Sequence, residues 1–257
     1  MIRGIWDRET VALLLLAAAA PLAVTWLLST GAAGALRLIF VLVAAGFWHV
    51  VFMLARAQPP SFAGALTALA IAMLAPVDLG PLPMVIGISF GVVAGELAFG
   101  GWGRNVVNPA TVAIVFLGFG FPTAPWPVPP VQLGWATIAA VVVGIMFGVI
   151  QWRVVAGGAA ALAAAWYGGA LGVSGLTAAT VVLALLVCDP VASAVTGLGR
   201  WLNGLFYGAL VAAFAIGWQG AAAVQLAVSA ALLASLAAPL LDDIAMRLWL
   251  RRRKRLG

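Results

Sequence analysis

Long apolar blocks of Ala, Leu, Val and Gly, parted by isolated charges, constrain this chain more than any other feature. A water-exposed fold carries about 25% charged residues. Here 8% are charged and 65% hydrophobic over 257 residues, with a mean hydropathy of +1.17. The blocks lack the short alternation of an outer-membrane barrel. In lipid every backbone polar group must pair internally, which leaves helices. The expected fold is therefore all-α and integral to a membrane.

The net charge of +6 does not imply a nucleic-acid partner, because five basic residues cluster at Arg251–Arg255. Such a cluster after a membrane helix fixes topology and touches anionic lipid. Cys188 is the sole cysteine and His49 the sole histidine. An intramolecular disulfide, a self-contained iron–sulfur cluster, a thiolate zinc site and a bis-His haem are thus excluded within one chain. The stretch MIRGIWDRETVALLLLAAAAPLAVTWLL carries too long an apolar run for a signal peptide and reads as a retained first helix.

About ten segments emerge at membrane-helix length or shorter. They lie near Val11–Leu28, Leu36–Leu54, Phe62–Ala75, Leu82–Phe99, Asn108–Phe121, Leu133–Ile150, Val154–Leu171, Ser174–Val187, Trp201–Trp218 and Ala221–Leu241. The third, fifth and eighth are short, as broken or re-entrant helices are. An even number puts both termini on one side, and the basic tail makes that side the cytoplasm. Arg3, Arg8, Arg56, Arg104, Arg153, Arg200 and the tail then fall inside, and only Arg37 outside. The Pro-rich outer loop Pro122–Pro130 should be stiff, with Trp126 as an interfacial anchor. The expected localisation is a bacterial inner membrane.

The third and eighth segments open alike, with Leu66-Thr67-Ala68 and Leu176-Thr177-Ala178, and end at Pro76/Asp78 and Asp189-Pro190. An offset of five helices from one to the other predicts inverted repeats, 1–121 and 131–241, followed by a basic tail, 242–257. Short, Pro-ended helices at matching positions point to a site near the membrane midplane. Asp78 would face outside and Asp189 inside.

Two polar constellations interrupt the apolar blocks. In GWGRNVVNPAT, Asn108 is a favoured N-cap and Pro109 suits a first helical turn. The start of that helix, with Arg104 beside it, would suit a phosphate, a flavin edge or a quinone oxygen. A capped cytoplasmic loop is the plain alternative. In CDPVASAVTGLGR, Asp189 ends a short apolar helix, and either an Asp189–Arg200 tie or a cofactor or ion path lined by Asp189 and Ser193 accounts for it. Glu96, inside an apolar helix, is an ion-pathway candidate with Asp78; a pair with Arg104 is the plain alternative. His49 reads as core packing, and Asp242 and Asp243 as balancing Arg247 and the tail.

Together these motifs carry a resemblance. G-x-G-R-N-x-x-N-P-A-x-V followed by F-P, then D-P-V-x-S and G-R, and finally A-P-L-L-D at Ala238–Asp242, resemble the RnfD/NqrB family. Those proteins are membrane subunits of the Rnf complex and of the sodium-pumping NADH:quinone oxidoreductase. The resemblance implies ten helices in two inverted five-helix repeats, a urea-channel-like fold. It also implies a flavin-carrying subunit in an electron-transfer chain, sometimes coupled to ion movement. Carried over by position, Arg104, Asn105, Asn108, Pro109, Thr111, Asp189, Pro190, Ser193 and Arg200 would line or support the cofactor region. The family attaches FMN to the Thr of an S/T-G-A-T motif, and no such motif occurs here. The expected cofactor is FMN or riboflavin held non-covalently, or a quinone.

The leading expectation is a membrane subunit of a redox complex, dependent on other subunits for electrons. It is not expected to be a complete enzyme or to hold a metal. Two other classes remain open at this point: a channel or transporter for a small solute or ion, and a cofactor-free scaffold for a redox partner.

Overall fold

The computed structural model describes residues 7–57 and 61–256. Arg3 and the side chains of Lys254 and Arg255 fall outside what is described. Among the described residues there is no strand. The α-helices are α1 (Arg8–Arg56), α2 (Ala63–Leu74), α3 (Pro81–Gly95), α4 (Pro109–Gly120), α5 (Val131–Met146), α6 (Trp152–Tyr167), α7 (Val173–Val182), α8 (Gly197–Gly217) and α9 (Ala223–Leu256). A 3-10 turn, Leu97–Phe99, follows α3, and a π turn, Leu183–Val187, extends α7.

The described chain thus has nine α-helices against the ten expected. The difference lies in α1, which takes up the first two expected segments. A straight helix of 49 residues would reach about 73 Å. Yet Glu9, near its start, accepts from the backbone N–H of Phe62, just past its end, at 3.0 Å. The helix must double back. The hinge is Gly31, at φ 61° and ψ −143°, a conformation that a side chain disfavours.

The short helices are buried rather than spanning. Twelve residues of α2 rise about 18 Å, well under the roughly 30 Å of hydrocarbon. Every residue from Thr67 to Ala75 is buried, so protein and not lipid surrounds them. Its C-terminal carbonyls are met by Arg37, whose Nη2 donates to the oxygens of Ala75 at 2.6 Å and Pro76 at 2.9 Å. This explains the lone arginine expected outside: it caps a helix that ends inside protein.

By length and apolarity alone, three helices suffice to cross a bilayer: Arg8–Arg56, Pro81–Phe99 and Ala223–Arg253. Large apolar side chains such as Leu28, Val43, Leu82, Trp135, Met146 and Leu240 are exposed, a surface that lipid covers. The chain is a multi-pass membrane protein.

Helices approach closely where glycines face a neighbour. On α3, Gly87, Gly91 and Gly95 lie against Leu117, Ala113 and Pro109 of α4. On α8, Gly204 and Gly208 lie against Val154, Gly158 and Ala161 of α6. Small residues at four-residue spacing let backbones meet without side chains between them. Two ends differ from the sequence reading. α9 continues as helix through Leu256, so the basic residues extend it. Trp126 folds its ring onto Gly118 and packs on the protein.

Candidate functional site

The two polar motifs meet. Asn108 is the N-cap of α4: its Oδ1 accepts from the N–H groups of Ala110 at 2.9 Å and Thr111 at 3.3 Å. Its Nδ2 donates to Asp189 Oδ2 at 2.8 Å, across 81 residues of sequence. The other oxygen of Asp189 accepts from the N–H of Val191 at 3.0 Å, closing the turn that Pro190 begins. Both side chains are buried. NPA and DPV are therefore one structure, a helix start locked to the loop that follows a broken helix.

The approach to α4 needs its glycines. Gly100, Gly101 and Gly103 have φ of 106°, 91° and 96°. Only glycine adopts such values freely, which explains the pattern G-G-x-G before Arg104. Asn105 holds this loop from within, accepting from Gly103 N–H and donating to Val107 O, each at 3.2 Å. Arg8 reaches in from α1 to donate to Trp102 O at 3.1 Å.

Several expected roles shift. The start of α4 offers no free amide to an anion: Pro109 has none, Asn108 Oδ1 takes those of Ala110 and Thr111, and Val112 N–H donates to Asn108 O. Arg104 is exposed and pairs with neither Glu96 nor any other described carboxylate. Glu96, 1% exposed, instead has His49 Nε2 at 3.5 Å from its Oε1. Asp189 makes no ion pair with Arg200; its partners are Asn108 and Val191. Asp78 is exposed on the turn after α2, where Val77 N–H donates to Pro125 O. Asp78 is thus exposed where Glu96 is buried.

What remains around the Asn108–Asp189 bond is a set of polar atoms without partners. Thr111 Oγ1, Ser193 Oγ and Arg200 Nε are buried and make no hydrogen bond. Buried polar groups are nearly always paired, so these three atoms stand out among the described residues. Asn105, Asn108, Pro109, Asp189 and Pro190 form the frame, while Thr111, Ser193 and the two arginines are the uncommitted groups.

Asp242, expected to balance Arg247 and the tail, instead holds the loop before α8. It accepts from the N–H groups of Val195 and Thr196, each at 2.9 Å, and from Thr196 Oγ1 at 2.5 Å. Thr196 in turn caps α8 by accepting from Gly199 N–H at 3.0 Å. The A-P-L-L-D motif thus fixes the far end of the DPVASAVT loop. Only Asp243 balances Arg247, at 2.8 Å. The recurrence of A-P-L-L-D with the other two motifs was the available signal.

A family model described as the NQR2, RnfD, RnfE family matches residues 2–137. The chain belongs to the NQR2, RnfD, RnfE family. The family's match covers the G-R-N-x-x-N-P motif and its helix. Among individual proteins, the chain is 39% identical over 82 residues to the B subunit of the Na(+)-translocating NADH-quinone reductase of Yersinia pestis. It is 38% identical over 84 residues to the protein of the same name from Klebsiella pneumoniae subsp. pneumoniae, and 38% over 82 residues to that from Neisseria meningitidis serogroup B. These stretches make up 32 or 33% of this chain but only 20% of each relative. The chain thus matches about a fifth of the length of these family members.

Proposed function

We propose that this chain is a membrane subunit of an electron-transfer complex, possessing a non-covalent flavin or quinone site between the NPA helix start and the DPV loop. The observation that carries the reading is the Asn108–Asp189 bond, which joins the N-P-A motif inside the family match to the DPV loop, with buried, unpartnered hydroxyls at Thr111 on that helix and Ser193 on that loop. Thr111 and Ser193 suit the carbonyl oxygens of a flavin or quinone ring. Arg104 and Arg200 suit a phosphate, since the amides of α4 are already taken. A bound flavin or quinone would supply the electron acceptance that no side chain here provides. Electrons would come from other subunits of the complex.

The reading extends to the whole chain. Two inverted repeats, 1–121 and 131–241, are supported by matching neighbours: α3 packs on α4 as α8 packs on α9, and α2 on α4 as α7 on α9. The second half of α1 would then correspond to α6. Both termini lie in the cytoplasm of a bacterial inner membrane in this proposal, with Arg251–Arg255 against anionic lipid.

The test is the absorbance spectrum of the gently purified native complex, followed by acid precipitation. Flavin released into the supernatant and traced to this subunit supports the site; extracted quinone does the same. Arg104→Ala or Ser193→Ala should lower cofactor content without abolishing insertion. A complex whose subunit holds neither flavin nor quinone removes the redox reading and favours a channel or scaffold on this fold.

A further inference from the structure

We propose that His49 and Glu96 hold one proton between them and form a proton-binding site beside an open cleft. The inference needs no bound cofactor and so stands apart from the redox reading.

Geometry fixes the proton count. His49 Nδ1 lies 2.9 Å from Ala45 O. A carbonyl only accepts, so Nδ1 carries hydrogen, and Nε2 is the nitrogen facing Glu96. With no further proton, a bare nitrogen lone pair would confront a carboxylate at 3.5 Å. Among the described residues neither oxygen of Glu96 receives a hydrogen bond, and the side chain is 1% exposed. An ionised carboxylate so placed is costly. One added proton resolves both problems. Placed on Nε2 it gives imidazolium against carboxylate; placed on Oε1 it gives two neutral groups. Either way the pair has no net charge, which a low-dielectric interior favours. A second added proton would leave a buried positive charge.

Among the described residues the neighbouring helices add no competing partner. Helices α2, α3 and α4, which enclose the pair with α1, carry no titratable side chain. Three charged groups on α1 and the loop before α4 are engaged elsewhere or exposed, and of these Arg56 lies over the Phe52 ring. Glu9 is occupied by Arg8 at 3.1 Å and by Phe62 N–H. Arg104 is turned to the exterior.

Access is built in. His49 lines a cleft of about 300 Å³ with Leu42, Ala45, Met53, Ser61 and Gly64. A Cβ on Gly64 would sit 3.0 Å from the ring, so glycine there leaves the imidazole its place. A proton entering by this cleft binds Nε2 and crosses to Glu96 Oε1. His49 returns to its neutral form with Nδ1 still protonated.

The sole histidine makes the test direct, because isotope-labelled histidine gives one set of ring signals. The full chain in lipid nanodiscs at neutral pH should show a protonated Nδ1 and an Nε2 engaged in proton sharing. Glu96→Gln should abolish the shared-proton signal and leave Nε2 a simple acceptor. Raising sodium at constant pH should leave the wild-type signals in place. A bare Nε2 in the wild-type protein, a measurement that needs no variant, overturns the proposal. So does a sodium-dependent shift, which would make the site one for a metal cation, or a spectrum that Glu96→Gln does not alter.

Discussion

At the scale of single residues, two side chains hold the candidate site by bonding far across the sequence. Asn108 meets the capping demand of α4 and at the same time solvates one oxygen of Asp189. Asn108→Ala removes a cap, worth about 1 kcal/mol. It also strips a buried carboxylate of a hydrogen bond, worth about 1–3 kcal/mol. Thermal unfolding in detergent should show a loss of about 2 kcal/mol or more. Asp189→Asn should also lose about 1–3 kcal/mol, because its one amide oxygen can accept from only one of Asn108 Nδ2 and Val191 N–H while its NH2 faces the other donor. Asp242 acts at the other end of the same loop. Asp242→Ala should speed amide exchange at Val195 and Thr196 while leaving the N–H groups of Ala110 and Thr111 protected, because their acceptor lies on Asn108. Equal loss at both places would mean that the loop and the helix start are not held separately.

At the scale of elements, close helix contact depends on which glycines face a backbone. A Cβ on Gly204 would collide with the carbonyl of Val154, and nothing there can yield without moving α6. Gly204→Val should therefore destabilise the α6–α8 pair by about 1–3 kcal/mol. Gly46 lies within α1 with open space around its missing Cβ. Gly46→Ala should be neutral or stabilise by up to about 1 kcal/mol, since alanine is the better helix former. Midpoints of heat unfolding for the two variants in the same detergent make the comparison. The broken helices follow another rule: α2 stays short because Arg37 accommodates its end and its whole second half is buried. A lipid-facing helix of that length would leave polar ends in hydrocarbon.

At the scale of the whole molecule, the doubling back at Gly31 gives α1 the weight of two segments and keeps the order of turns consistent with the charge pattern. Cysteine labelling of intact cells tests the proposed orientation. Thr123→Cys and Gln219→Cys, both exposed on turns, should react with a membrane-impermeant reagent added outside. Arg251→Cys should react only after the membrane is opened. Native Cys188, 1% exposed, should stay silent in all three. The reverse pattern would invert the orientation and place the NPA–DPV site outside.

The sequence by itself determined the membrane class, the all-helical fold, the positions of most helices and the family, because apolar blocks, caps and polar motifs are local signals. It also marked the short helices as broken, since length is read directly. Tertiary structure decided the partners. That Asn108 bonds Asp189, that Asp242 grips the loop before α8, that Arg37 caps α2 and that Glu96 faces His49 rather than Arg104 all involve residues tens of positions apart. In an interior this apolar, each buried polar group must find one of very few others. Which one it finds is set by how the helices cross, and no local pattern carries that information.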